Sequence, residues 1–197
     1  MASEKFVSRG GDKLQFAIEN WSASRLIKIE NLTCLDVGSS TGGFVDCLLQ
    51  NGASKVYSVD TSYGELAWKL RNDPRVVVME RTNILFPDTW KVGFDSFQVD
   101  MITIDAGWTK LELVLPVVKK FLKPGGIIIA LLKPHYETDK RNLVKGVVPA
   151  ELVEQIKDQV INKIKDLGFI TEGEIDSPIL GGAGNKEFLL YITETGS

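Results

Sequence analysis

The chain has 197 residues, is 44% hydrophobic and 25% charged, and carries a net charge of −3 with a pI of about 5.3. That suits one soluble globular domain with a full-sized core, and it argues against strong non-specific nucleic-acid binding, which needs a basic surface. No apolar run approaches the roughly 18 residues of a membrane span, the first residues lack a signal-peptide apolar region, and two cysteines with one histidine speak against a zinc site.

In chain order, Lys5, Arg9 and Lys13 come first. Residues 12–21 place Leu14, Ala17, Ile18 and Trp21 at helical spacing, which predicts an amphipathic helix. Lys13 falls in its first turn, where a cation opposes the helix dipole; from the pattern alone it is a solvent-facing residue. Thr33 to Val37 predicts a strand and Phe44 to Leu49 a helix, joined by Gly38-Ser39-Ser40-Thr41-Gly42-Gly43. Glycines at such a turn let a ligand lie against bare backbone, and the helix start supplies unpaired N–H groups. A dinucleotide fingerprint would be G-x-G-x-x-G. Here Asp36 stands two residues before the first glycine, where a carboxylate would repel a pyrophosphate but suit an ammonium group. S-adenosylmethionine carries an ammonium and a sulfonium and no phosphate. Cys34 and Cys47, in these elements, read as buried thiols of a reducing compartment. Lys55 to Asp60 is a second strand ending in an acid about twenty residues past the glycines, where a nucleotide-binding fold puts its ribose-binding carboxylate.

Gly64 to Asn72 predicts a short helix stopped by Asp73-Pro74, and Val76 to Met79 a third strand. Residues 84–99 read as a loop or short helix. Met101 to Asp105 is a fourth strand ending in an acid. Lys110 to Leu122 is a helix stopped by Lys123-Pro124-Gly125-Gly126, and Ile127 to Leu132 a buried strand ending at Lys133-Pro134. Residues 135–148 are irregular and carry Lys140, Arg141 and Lys145. Pro149 to Leu167 is the longest helix. Phe169 to Ile175 and Phe188 to Thr193 are the last strands, joined through a glycine-rich connection over residues 177–184. Such alternation implies an α/β fold with a mostly parallel sheet covered on both faces, whose ligands bind beyond the carboxyl ends of the strands. Asp36, Asp60, Asp105 and Lys133 all fall at such ends. Trp108 and Tyr136 lie in loops at the same edge, either as platforms for an unstacked base or as packing aromatics. His135 reads as local structure.

Seven stretches carry a resemblance covering nearly the whole chain: Val7-Ser8-Arg9-Gly10-Gly11-Asp12-Lys13-Leu14, residues 36–44, residues 59–66, residues 71–76, Glu80-Arg81-Thr82-Asn83, residues 132–137 and Gly184-Asn185-Lys186-Glu187-Phe188. They resemble the FtsJ-type ribose 2′-O-methyltransferases, and within them the TlyA (haemolysin-like) branch. The resemblance implies a Rossmann-like seven-stranded methyltransferase sheet with an antiparallel last strand. It implies a single domain over residues 1–197, with residues 1–30 an N-terminal helical segment contributing Lys13. A catalytic tetrad of Lys13, Asp105, Lys133 and Glu187 is implied, which moves Lys13 from the surface into the site. S-adenosylmethionine would be held by Asp36, Gly38, Ser39, Ser40, Thr41, Gly42, Gly43 and Phe44, by Asp60 and Thr61, and by Thr82, Asn83 and Asp105, with no metal. Two features depart from that branch. On this reading its small RNA-binding domain before the Ser8-Arg9-Gly10 motif would be absent, and Asp105-Ala106-Gly107-Trp108 stands where the branch has Asp-Leu-Ser-Phe.

The function so implied is methyl transfer to a ribose 2′-hydroxyl of RNA, ribosomal RNA or a ribosomal subunit, in the cytoplasm. A protein partner would stand in for the missing domain, and no membrane is involved. Competing readings are a methyltransferase for a protein or small molecule, and a non-enzymatic RNA-binding or haemolysin-like protein.

Overall fold

The computed structural model describes residues 5–22, 27–87, 90 and 97–196. Its seven strands are β1 (Thr33–Val37), β2 (Lys55–Val59), β3 (Val76–Met79), β4 (Val99–Ile104), β5 (Leu122–Leu132), β6 (Phe169–Asp176) and β7 (Phe188–Glu194). They form one sheet of order β3-β2-β1-β4-β5-β7-β6. All pairings from β3 to β5 are parallel, and β7 runs antiparallel to both β5 and β6. The carboxyl ends of β1, β2, β4 and β5 therefore share one edge.

Period-two alternation sends neighbouring side chains to opposite faces. Leu35, Val37, Leu190 and Ile192 join one core, and Cys34, Leu189 and Tyr191 the other. The first core is covered by α4 (Leu111–Val118) and α6 (Ala150–Asp166), whose Val153, Ile156, Val160 and Ile164 are buried. The second is covered by α1 (Gly10–Ser22) and α2 (Gly43–Gln50). None of the described helices is long and apolar enough to cross a membrane.

Two expected elements differ. The helix expected over 64–72 shrinks to α3 (Trp68–Arg71), because the Gly64 N–H donates to the Glu80 carboxylate at 2.9 Å and Ala67 is extended. The Lys123-Pro124-Gly125-Gly126 stop lies inside β5: the helix ends at Val118, a 3-10 turn covers Lys119–Phe121, and the strand starts at Leu122. There β5 advances from Leu122 to Ile127 while β4 advances only from Val99 to Met101, an irregularity that absorbs the glycines. The remaining helix, α5 (Pro134–Glu137), follows β5 directly. Of the segment 84–99, residues 88–89 and 91–96 lie outside the described residues.

Candidate active site

Glycines decide how closely the site's elements approach. A Cβ at Gly43 would lie 2.3 Å from Ser8 Oγ and 2.8 Å from the Gly11 nitrogen. Bare backbone here lets the start of α1 sit on the start of α2, and the Val7 N–H donates to Asp46 at 2.9 Å to fasten it. Gly38, with φ +84°, would place a Cβ 2.7 Å from the Asp105 carbonyl, so it draws the β1 and β4 turns together. At Gly42 a Cβ would strike Leu70 at 2.3 Å. The expectation was glycines kept bare for a ligand; most of their clearance is filled by the protein itself.

This packing carries Lys13 across the sheet edge, where its Nζ meets Glu187 at 2.5 Å. The Lys13 side chain is 12% exposed and that of Glu187 2%. Lys133, at the end of β5, meets Asp105, at the end of β4, in an ion pair at 2.6 Å. The sheet edge thus holds two lysine–carboxylate pairs drawn from four distant stretches of chain. Burial, with the charges of Lys133 and Lys13, holds the pKa of neighbouring His135 below its ordinary value.

Three of the four expected residues, Lys13, Asp105 and Lys133, open onto a cavity of about 560 Å³, within the range of small-molecule sites. Its β1–β2–β3 end is lined by Ser39, Ser40, Thr41, Asp60, Thr61, Thr82 and Asn83; Gly38, Gly43 and Phe44 complete that side. Its β4–β5 end is lined by Lys13, Asp105, Trp108 and Lys133. Glu187 sits behind Lys13, outside the lining. Asp60 accepts hydrogen bonds from the Ser40 and Ser62 N–H groups, each at 2.7 Å. It clamps the β1 turn to the β2 turn, and each carboxylate oxygen keeps a lone pair for a ligand.

The chain matches the FtsJ-like methyltransferase family over residues 6–193. It belongs to that family. The chain is 43% identical over 192 residues to the protein named YqxC of Bacillus subtilis, covering 95% of this chain and 66% of that one. It is 37% identical over 189 residues to the 16S/23S rRNA (cytidine-2′-O)-methyltransferase TlyA of Mycobacterium tuberculosis, covering 95% of this chain and 68% of that one. A solved structure from Lactococcus lactis that carries the hemolysin name superposes with a TM-score of 0.89 at 39% identity, covering 99% of this chain and 91% of that one. The chain thus spans about two thirds of the length of its YqxC and TlyA relatives.

Two of the expected cofactor residues of this methyltransferase stand apart from the cavity. Gly42 faces Leu70 and Leu66. Asp36 is fully buried beneath the turn; Thr103 donates to its Oδ1 at 2.6 Å, and its Oδ2 has no hydrogen-bond partner. Burial raises its pKa to about 7, the Thr103 and Ser39 hydroxyls pull it down, and the charges of Asp105 and Asp60 push it up. The folded state therefore holds this proton more tightly than the unfolded chain. The stability it confers is complete below the unfolded value near 4 and is lost as pH rises through about 7. Asp36→Asn, which cannot ionise, should gain melting temperature relative to wild type between pH 5 and pH 8. A difference that stays constant over that range would show the carboxyl titrating normally.

Several residues of the methyltransferase site escaped the sequence pattern. Arg9 and Glu65 line the cavity. Asn185 is buried; it accepts from the Val148 N–H at 3.1 Å and donates to the carbonyls of Gly146 and Gly182, each at 3.0 Å. It ties the turn before α6 to the connection holding Glu187. In that connection Gly181 packs tightly, since a Cβ there would lie 2.0 Å from Glu187 Oε1 and the Glu187 side chain would have to shift. The run Gly184-Asn185-Lys186-Glu187-Phe188 carries part of the family resemblance, which gives a role to Glu187 alone.

Proposed function

We propose that this methyltransferase moves a methyl group from S-adenosylmethionine to a ribose 2′-hydroxyl of RNA, with ribosomal RNA in the cytoplasm as the acceptor. The observation that carries the reading is the pairing of Lys133 with Asp105 and of Lys13 with Glu187 at one end of a cavity whose other end is lined by Asp60, Thr82 and Asn83. The names of the TlyA relatives support the acceptor.

The residues present fit the cofactor. Asp60 at the end of β2 can accept from a vicinal diol, and Thr82 and Asn83 edge the same end for a base. The α2 start has no side-chain cap, so its first N–H groups remain for an anion. When bound, S-adenosylmethionine supplies an electrophilic sulfonium methyl. Lys133 and Asp105 then do the work on the acceptor: neutral Lys133 anchors the 2′-hydroxyl and accepts its proton as the oxygen takes the methyl, and Asp105 holds the ammonium so formed; a Lys133 that stays charged would instead stabilise the charge developing on that oxygen. Lys13, held by Glu187, keeps a second positive charge at the same mouth. Holding both reactants at attack distance supplies several kcal/mol, with roughly 7–11 as the ceiling.

Labelled methyl transfer to ribosomal subunits, free RNA and cell extract tests the reading. Label should appear on ribose oxygen in ribosomal RNA; label confined to protein or small molecules would refute it. Asp60→Ala should weaken S-adenosylmethionine binding by ~2 kcal/mol or more, the loss of a charge-assisted hydrogen-bond set. Calorimetry alongside a melting curve checks this, and unchanged affinity in a folded variant would remove Asp60 from the site.

A further inference from the structure

We infer that Trp108 is a stacking platform for an unpaired RNA base, the base of the nucleotide whose ribose is presented to Lys133. This rests on the RNA reading above. Trp108 is 83% exposed, the most exposed large apolar side chain among the described residues, yet it sits on the rim of the active-site cavity. Its backbone has φ +68°, a left-handed conformation that bulky side chains rarely adopt. Such features persist where the surroundings over-determine them, and they cluster at ligand clamps. The Trp108 ring leans on Tyr136, with centroids 5.1 Å apart and planes at 36°. Tyr136 in turn lies 5.8 Å from Lys133 Nζ. The two aromatics therefore step outward from the lysine that handles the hydroxyl.

Trp108 follows β4 and Tyr136 follows β5, so the pair stands at the opposite end of the cavity from Asp60 and Thr82, away from the cofactor's nucleoside. The cavity lining that Trp108 shares also carries Thr109, Lys133 and the exposed Arg9. An aromatic face among cations is the combination that binds single-stranded nucleic acid, because every base has a π-face and every phosphate a charge.

The test uses ribosomal RNA extracted from cells lacking this gene as acceptor. Trp108→Ala should raise the acceptor KM by about 5- to 150-fold, the range of base–aromatic stacking, with kcat changed far less, and Trp108→Phe should recover most of the loss. Trp108→Gly gives the discriminating readout: glycine accepts positive φ without strain, so this variant should melt no lower than wild type while its KM rises like that of the alanine variant. A KM unchanged in Trp108→Ala, or a lowered melting temperature as the sole effect of Trp108→Gly, would overturn the platform while leaving the RNA methyltransferase reading intact. Wild-type enzyme that methylates no RNA would overturn that reading and the platform with it.

Discussion

Lys133→Ala is expected to remove most methyl transfer while S-adenosylmethionine still binds. The side chain follows β5 directly, is only 15% exposed, and meets Asp105 at 2.6 Å on the cavity lining, where the proposed mechanism brings the acceptor hydroxyl. Loss of a group that handles a transferring proton costs about 100-fold to 10,000-fold in rate. Cofactor affinity should survive, because Asp60, Thr82 and the α2 start lie toward the other end of the cavity. Lys133→Arg should not restore activity, since a guanidinium stays charged and is planar where the ammonium is compact. A purely structural ion pair predicts a lower melting temperature with transfer per folded molecule preserved. Single-turnover transfer and thermal melting on the same variant separate the two, and near wild-type turnover in a stable, cofactor-binding Lys133→Ala protein would overturn the mechanism.

Much of this architecture was legible because it is local. The apolar runs Thr33 to Val37 and Ile127 to Leu132 place strands without reference to the rest of the chain. Because ligands in such sheets gather at carboxyl ends, Asp60, Asp105 and Lys133 could be marked from position alone. What was illegible depends on distant partners. Lys13 has the look of a surface residue on an amphipathic helix, and only Glu187, 174 residues away, makes it part of the site. Asp36 follows the same logic in reverse: its place before the glycines suggests a ligand contact, but Thr103 from the neighbouring strand claims it beneath the lining. The glycine turn is legible in the sequence and the use of its clearance is not, because sequence does not show that Ser8, Leu70 and the Asp105 carbonyl occupy the space. The shortened α3 has a similar origin in the Glu80 carboxylate, which takes the Gly64 N–H.

Glu187→Ala should produce the largest loss of stability. The carboxylate is 2% exposed and its lysine partner 12%, so its removal strands a buried ammonium. Breaking one side of a buried ion pair costs about 3–5 kcal/mol, or roughly 6–20 °C in melting temperature for a domain of this size. Glu187→Gln, which keeps the shape that packs against Gly181 and still accepts a hydrogen bond, should lose less. Stability alone does not show why the pair exists, because apolar residues of similar volume often replace a buried ion pair without loss. The double variant Lys13→Met with Glu187→Leu decides the matter. It should recover most of the melting temperature lost in Glu187→Ala, having no uncompensated charge, yet transfer methyl groups slowly, having lost the second cation at the mouth of the site. Were it both stable and fully active, Lys13 and Glu187 would be a structural clasp between α1 and β7, and catalysis would rest on Lys133 and Asp105 alone.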